Sequence, residues 1–214
     1  MIRKLCLVFL ALVVVLLAAA GVAWKLNGER WQQEYAAFRK TGAPVLMYHA
    51  VGPEEGADWP KTLIMKPELF ESHLQYLKEQ GYTIVTVAEL AERLQEGKSV
   101  DKYVALSFDD GYKNNHSVVL PLLQKYDAKG SFFVINKDMG DELHMNEQEI
   151  KELIAAGMEL GSHTYSHNPL AAIDEKYLVW ETDTSRYWLK KKFDGYIVRT
   201  LAYPNGSYND RVIA

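Results

Sequence analysis

The sequence has a single cysteine, Cys6, so no disulfide can form within the chain. Cys6 sits inside an apolar N-terminal run, which argues against a catalytic thiol, and no small-residue stretch precedes it to mark a lipid-attachment site. Positive charge is not in excess either: the formal net charge is −4, which removes the electrostatic footprint of a nucleic-acid binder. Internal repeats and low-complexity tracts are absent, which excludes solenoids and disordered tails as the main architecture. What remains is a chain of 214 residues, 48% hydrophobic and 24% charged, the composition of one globular domain with something added.

The addition is at the N-terminus. Met-Ile-Arg-Lys is followed by residues 5–24 without a charge. A run of about 20 apolar residues is long enough to cross a bilayer as a helix. Arg3 and Lys4 then keep residues 1–4 in the cytoplasm and send the rest outside. The run exceeds an ordinary signal-peptide core, so an uncleaved anchor is expected. A cleaved signal peptide is the alternative, because Ala18-Ala19-Ala20 and Gly21-Val22-Ala23 offer small residues. Either way the domain is exported, to the cell surface or beyond it. Residues 25–43 are polar and helix-prone, a juxtamembrane stalk that Gly42-Ala43-Pro44 interrupts.

From residue 44 onward, β-prone runs alternate with amphipathic helices. Strands are expected at 44–49, 82–85, 103–106, 131–135, 158–162 and 198–202. Pro67 opens a helix, Thr86 with Glu89 and Asn146 with Glu149 form capping boxes, and further helices are expected over 118–126 and 174–192. This alternation implies an α/β fold with a parallel sheet or barrel. The residues able to do chemistry, His49, Asp109, Asp110, His163, His167 and the Pro204 loop, all fall at strand C-terminal ends, the edge where such folds build sites.

The central stretch is Ser107-Phe108-Asp109-Asp110-Gly111-Tyr112. Adjacent carboxylates repel, and a nearby cation relieves them. One reading has Asp110 on a metal and Asp109 free as a base; the other is a solvated turn at a strand end. The second stretch is Gly161-Ser162-His163-Thr164-Tyr165-Ser166-His167. Histidines four apart share one face of a helical turn and can share an ion, although many such pairs are only surface neighbours. Two histidines and a carboxylate suit zinc and leave positions open for water. Tyr112, Tyr165, Tyr203 and Tyr208 lie beside these stretches, either as packing or as faces for sugar rings.

Ser-Phe-Asp-Asp-Gly-Tyr, Ser-His-Thr-Tyr-Ser-His and Ala-Tyr-Pro-Asn-Gly resemble the first three motifs of the polysaccharide deacetylases, the NodB-homology or carbohydrate esterase 4 family. They occur in the family's order, and the resemblance covers residues 44–214. It implies a distorted (β/α) barrel. It implies Asp109 as catalytic base and Asp110, His163 and His167 as metal triad, with zinc, cobalt, nickel or manganese as the ion. Tyr203, Pro204, Asn205 and Gly206 would line the substrate groove, with Tyr112 beside it, and the Asn205 N–H would bind an oxyanion. The third motif departs from the family pattern: Ala202 and Asn205 stand in place of an arginine and an aromatic, leaving the orientation of Asp109 to another residue.

The family also uses a histidine as general acid, often from a late Leu-x-His motif, which does not occur here. Leu46-Met47-Tyr48-His49 resembles the opening strand of the branch that acts on poly-β-1,6-N-acetylglucosamine, so His49 is the candidate acid. The alternative for His49 is a core histidine bonded to backbone. The implied activity is hydrolysis of N-acetyl groups from an exopolysaccharide, peptidoglycan or chitin-like glycan by a monomeric, membrane-anchored enzyme. A sugar-binding module impaired in catalysis and a small-molecule metal amidohydrolase are the alternatives. Residues 209–214 look like the first turn of a helix, so the barrel is expected to be incomplete in this sequence.

Overall fold

A computed structural model describes residues 25, 27–30, 32, 42–53 and 62–214. The chain divides into two units, Met1–Gly42 and Ala43–Ala214. In the first unit, residues 25, 27–30 and 32 are helical. The apolar run 5–24 lies outside the described residues, among which no helix is long and apolar enough to cross a membrane.

The second unit alternates as expected. Its strands are β1 (Val45–Tyr48), β2 (Ala50–Val51), β3 (Ile64–Met65), β4 (Thr83–Val85), β5 (Tyr103–Phe108), β6 (Ser131–Val134) and β7 (Glu159–Ser162). The helices are α1 (Pro67–Glu79), α2 (Val87–Gln95), α3 (Leu120–Lys125), α4 (Glu147–Ala155), α5 (Glu175–Val179), α6 (Ser185–Lys192) and α7 (Asp210–Ile213). Both capping boxes form. The Thr86 hydroxyl accepts from the Glu89 N–H while the Glu89 carboxylate accepts from the Thr86 N–H, and Asn146 and Glu149 repeat the exchange. These bonds satisfy donors that the first helical turn leaves without partners.

β5 is the middle of the sheet. β1 pairs with residues 105–108, β4 with 103–105 and β6 with 107–108, all parallel. A strand residue has one neighbour on each edge, so β1 takes one edge of β5 while β4 and β6 share the other in succession. β7 follows β6. The two-residue strands β2 and β3 form a separate parallel pair that the sequence does not announce.

Register fixes which side chains share a face, because successive residues alternate. Leu46, Tyr48, Val104, Leu106, Phe108, Phe132, Val134 and Leu160 are in one phase. They meet Phe70 and Leu74 of α1, Leu123 of α3 and Leu153 of α4 in the main hydrophobic core. Each fully buried side chain of this kind contributes about 1.5–3 kcal/mol. The opposite phase holds Val45, Met47, Ala105, Ser107, Ser131, Phe133 and Gly161. One face of the sheet therefore carries the main core; the other holds a smaller cluster of Val85, Leu90, Val100 and Ala105 and, toward its strand C-terminal ends, the site.

One expected strand is corrected and two expected helices are refined. The sixth strand, 198–202, is a single bridge from Leu201 to Ser162. Below the bridge the Tyr196 hydroxyl accepts the Leu160 N–H at 3.1 Å, where a strand neighbour would bond, and above it β7 turns away at Thr164, φ 67°. The sheet is open among the described residues, the form expected of an incomplete barrel. The helix expected over 174–192 runs from Glu175 to Lys192 and contains a π-helical turn, Trp180–Thr184, that turns Glu181 and Ser185 into the protein. The helix expected over 118–126 likewise begins with a π-helical turn, Asn115–Val119, before Pro121, which has no N–H to give to an α-helical bond.

Candidate active site

His49, Asp109 and His163 are the residues next in phase after Met47, Ser107 and Gly161. Strand alternation alone sends all three to the site face of the sheet. Asp110 is out of phase and reaches the same place by conformation: it has φ 72° and Gly111 has φ 81°. Position 111 excludes a side chain, since a Cβ there would lie 2.9 Å from Cγ1 of Val134. The doubled left-handed turn is what brings both carboxylates into one pocket.

Nε2 of His163 and Nε2 of His167 each lie 3.4 Å from Oδ1 of Asp110. One ligand atom from each of the three residues falls within 4.8 Å of the others. The histidine pair does not lie on a helical turn, as its spacing suggests. Residues 163–167 are a loop with Thr164 and His167 at positive φ, 67° and 61°. The Thr164 hydroxyl accepts the His167 N–H at 3.1 Å, and the two rings meet at 4.7 Å between centroids. Nδ1 of His163 donates to the Ala202 carbonyl at 3.0 Å, which leaves Nε2 to face Asp110.

Oδ1 of Asp109 is buried without a hydrogen-bond partner, and buried Oδ1 of Asp110 has only the two imidazole nitrogens at 3.4 Å. Buried carboxylate oxygens beside two imidazoles are what a cation site requires, so the residues fit a divalent ion. Burial, the strongest influence, pushes Asp109 above the usual carboxylate range, opposed by His163 and His49 and assisted by Asp110. Burial also opposes ionisation of Asp110, but the hydrogen bond and charge of His163, with His49 and His167, hold it below that range. His163 is raised: burial opposes its charge, while Asp110, Asp109 and the Ala202 carbonyl outweigh that. His167 is lowered, first by burial and then by His163. The two carboxylates are thus driven apart, one favouring the proton and one refusing it, as in a site that divides base and ligand roles.

These groups form the floor of a cleft of about 620 Å³. His49, Asp109, Asp110, His163 and His167 line it, as do Tyr203, Asn205 and Gly206 of the third motif. Asn205 turns that loop with φ 54°. Two expected groove residues are placed elsewhere. Pro204 is buried beneath its loop. Tyr112 is 6% exposed; its hydroxyl bonds Asp110 and its ring stacks on His144 at 5.1 Å, so it backs a carboxylate and does not line the groove. No arginine lines the cleft among the described residues, so Asp109 is left to its histidine and backbone neighbours.

The cleft also has an apolar wall that the motifs do not reveal, Val45 and Met47, 49% and 64% exposed. Their signal was the phase they share with His49 on β1. Tyr208 completes the rim, stacked on Tyr203 at 5.2 Å.

The geometry can be set beside known proteins. A family model described as polysaccharide deacetylase matches residues 96–214. The protein YxkH of Bacillus subtilis (strain 168) is 32% identical over 174 residues, covering 79% of this chain and 59% of that protein. The poly-beta-1,6-N-acetyl-D-glucosamine N-deacetylase of Staphylococcus aureus (strain N315) is 27% identical over 164 residues, covering 70% of this chain and 56% of the enzyme. The chain thus spans less than two thirds of the length of either. Among solved structures, the Streptococcus pyogenes deacetylase PplD in complex with acetate superposes with a TM-score of 0.72 at 33% identity, over 80% of this chain and 77% of that one. The family model covers more than half of the sequence, and the chain belongs to the polysaccharide deacetylase family.

Proposed function

We propose that this protein hydrolyses N-acetyl groups of an N-acetylglucosamine polysaccharide at the Asp109–Asp110–His163–His167 cluster, releasing acetate. The observation that carries the reading is the convergence of Asp110, His163 and His167 within one ligand-atom cluster, with Asp109 on the same cleft floor. Asp110, His163 and His167 hold the ion; two imidazoles and one carboxylate favour zinc over harder cations. A divalent ion held there supplies a Lewis acid that polarises the amide carbonyl and acidifies water at the site.

The chain's own residues do the rest. Asp109 accepts the proton of the water that attacks the amide carbon. The backbone N–H of Asn205 donates to the oxygen on which charge develops. His49 gives a proton to the leaving nitrogen as the carbon–nitrogen bond breaks, so the products are acetate and a free amine. Tyr203 and Tyr208 offer stacked aromatic faces to sugar rings at the rim. Poly-β-1,6-N-acetylglucosamine is the substrate we propose, supported by the named activity of the staphylococcal relative. The apolar run 5–24, with Arg3 and Lys4 before it, anchors the protein with this site outside the cell.

The test is acetate release from β-1,6-linked N-acetylglucosamine oligomers, chitin oligomers and peptidoglycan, before chelation, after it, and after zinc is restored. The proposal expects release that is lost on chelation, recovered with zinc and fastest on the β-1,6 polymer. Release that survives complete chelation, or no release from any of the three glycans, overturns it.

A further inference from the structure

The loop 164–168 is held in an unfavourable shape. Thr164 and His167 both have positive φ, which residues with a Cβ adopt only when their surroundings impose it. What imposes it is a residue 14 positions on, Glu181. The Ser166 N–H donates to Glu181 Oε2 at 2.8 Å, and the Ser166 hydroxyl donates to Oε1. Asn168 Nδ2 donates to Oε1 at 2.9 Å. The Thr164 side chain also bonds the carboxylate, and the Tyr165 N–H donates to the Glu181 backbone carbonyl at 3.1 Å. Both carboxylate oxygens are therefore spent on one loop.

Glu181 is 2% exposed, and no lysine or arginine pairs with it among the described residues. It does not line the cleft. A buried charge without a cationic partner is costly, and a fold that needed only packing at this place would use an apolar side chain. The π-helical turn Trp180–Thr184 also aims Ser185 inward, four residues on. There the Ser185 hydroxyl donates to Asn136 Oδ1 at 2.7 Å, and the Asn136 N–H donates to the Thr164 carbonyl at 3.3 Å. The loop is clasped from two sides by one π-helical turn and the residue that follows it. His163 has its own anchor in the Ala202 carbonyl, whereas among the described residues the His167 N–H is held by Thr164 of this loop.

We propose that Glu181 is the positioning residue of the metal centre: by fixing loop 164–168 it sets the direction of the His167 imidazole toward Asp110. The inference rests on the reading that Asp110, His163 and His167 hold a divalent ion. Its reach is specific, acting on one ligand of three, and that makes it separable from a general contribution to folding.

The experiment is zinc affinity of the full chain by chelator competition for wild type, Glu181→Ala, Glu181→Gln, His167→Gln and the Glu181→Ala/His167→Gln double variant. Visible absorption of the cobalt(II)-loaded proteins is recorded alongside. Loss of a residue that orients a metal ligand typically weakens affinity about 10–100-fold, and that is the loss expected for Glu181→Ala. Glu181→Gln keeps the volume and one acceptor oxygen and should fall between, which preserves the test should the alanine variant not fold. In the His167→Gln background the Glu181 effect should vanish, and the cobalt bands of Glu181→Ala and Glu181→Gln should shift from those of wild type. Affinities within twofold of wild type with unchanged cobalt bands overturn the proposal, as does an undiminished loss in the His167→Gln background. A wild-type chain that takes up no zinc, or a His167→Gln variant that binds like wild type, overturns the metal reading itself; Glu181 variants that bind like wild type overturn only the role of Glu181.

Discussion

Nδ1 of His163 donates to the backbone carbonyl of Ala202 at 3.0 Å, joining the second motif to the third. A carbonyl can only accept, so a proton sits on Nδ1, and Nε2 is the atom that faces Asp110. The same segment is pinned to β7 by the Leu201–Ser162 bridge, so the tautomer is fixed by backbone. Long-range proton–nitrogen NMR correlations of the zinc-loaded protein should show His163 protonated at Nδ1. Protonation at Nε2 would contradict the assignment.

Asp109 and Asp110 are neighbours with different work. Asp109→Asn should lower the rate of acetate release by about 10²–10⁴-fold, the range for loss of a general base, while zinc still binds. His49→Ala should behave alike, because it also lies outside the ligand cluster. Steady-state rates together with zinc affinity check both. A variant that loses zinc in parallel with rate would place that residue among the ligands instead.

Gly111 answers to two constraints at once, its φ of 81° and the 2.9 Å approach of Val134 Cγ1 to any added Cβ. Gly111→Ala should therefore cost about 2–4 kcal/mol of stability, combining strained backbone with overpacking. Urea unfolding measures it. A loss below about 0.5 kcal/mol would mean that the turn between Asp110 and Tyr112 relaxes freely.

Glu181 carries a pH signature. Burial, the largest single influence, pushes its carboxyl up, but hydrogen bonds from Ser166, Asn168 and Thr164 together hold it below the ordinary range. A carboxyl lowered on folding stabilises the protein above its unfolded value of about 4.3 and loses that contribution as pH falls through the lowered value. Wild type should exceed Glu181→Gln by about 1–3 kcal/mol from pH 5 to 7, with the gap closing below about pH 4. Thermal or urea unfolding across that range shows it; a gap that does not depend on pH would mean that the carboxylate is not ionised in the fold.

Local signals carried most of the fold into view. Strands β1 and β4 to β7 are short apolar runs between turn residues, and both capping boxes announce their helices by two residues at fixed spacing. The site was legible because strand ends are visible as places where an apolar run stops at an acid or a histidine. What stayed hidden was tertiary. The Tyr196 hydroxyl takes the Leu160 N–H and stops a sixth strand that its own sequence supports. The His163–His167 spacing fits a helix, yet Thr164 at φ 67° makes a loop of it. Tyr112 reads as a groove aromatic until its hydroxyl is found on Asp110. Glu181 looks like an exposed helix residue, and only the π-helical turn brings it inside.

The central claim is that Asp110, His163 and His167 share one ion. Calorimetric titration of zinc into the metal-free full chain tests it most directly, with Asp110→Ala and His163→Ala titrated beside it. The account predicts one saturable site per chain in the wild type and affinity at least about 100-fold weaker in each variant. Saturation that is unchanged in either variant, or no saturable site in the wild type, would contradict it.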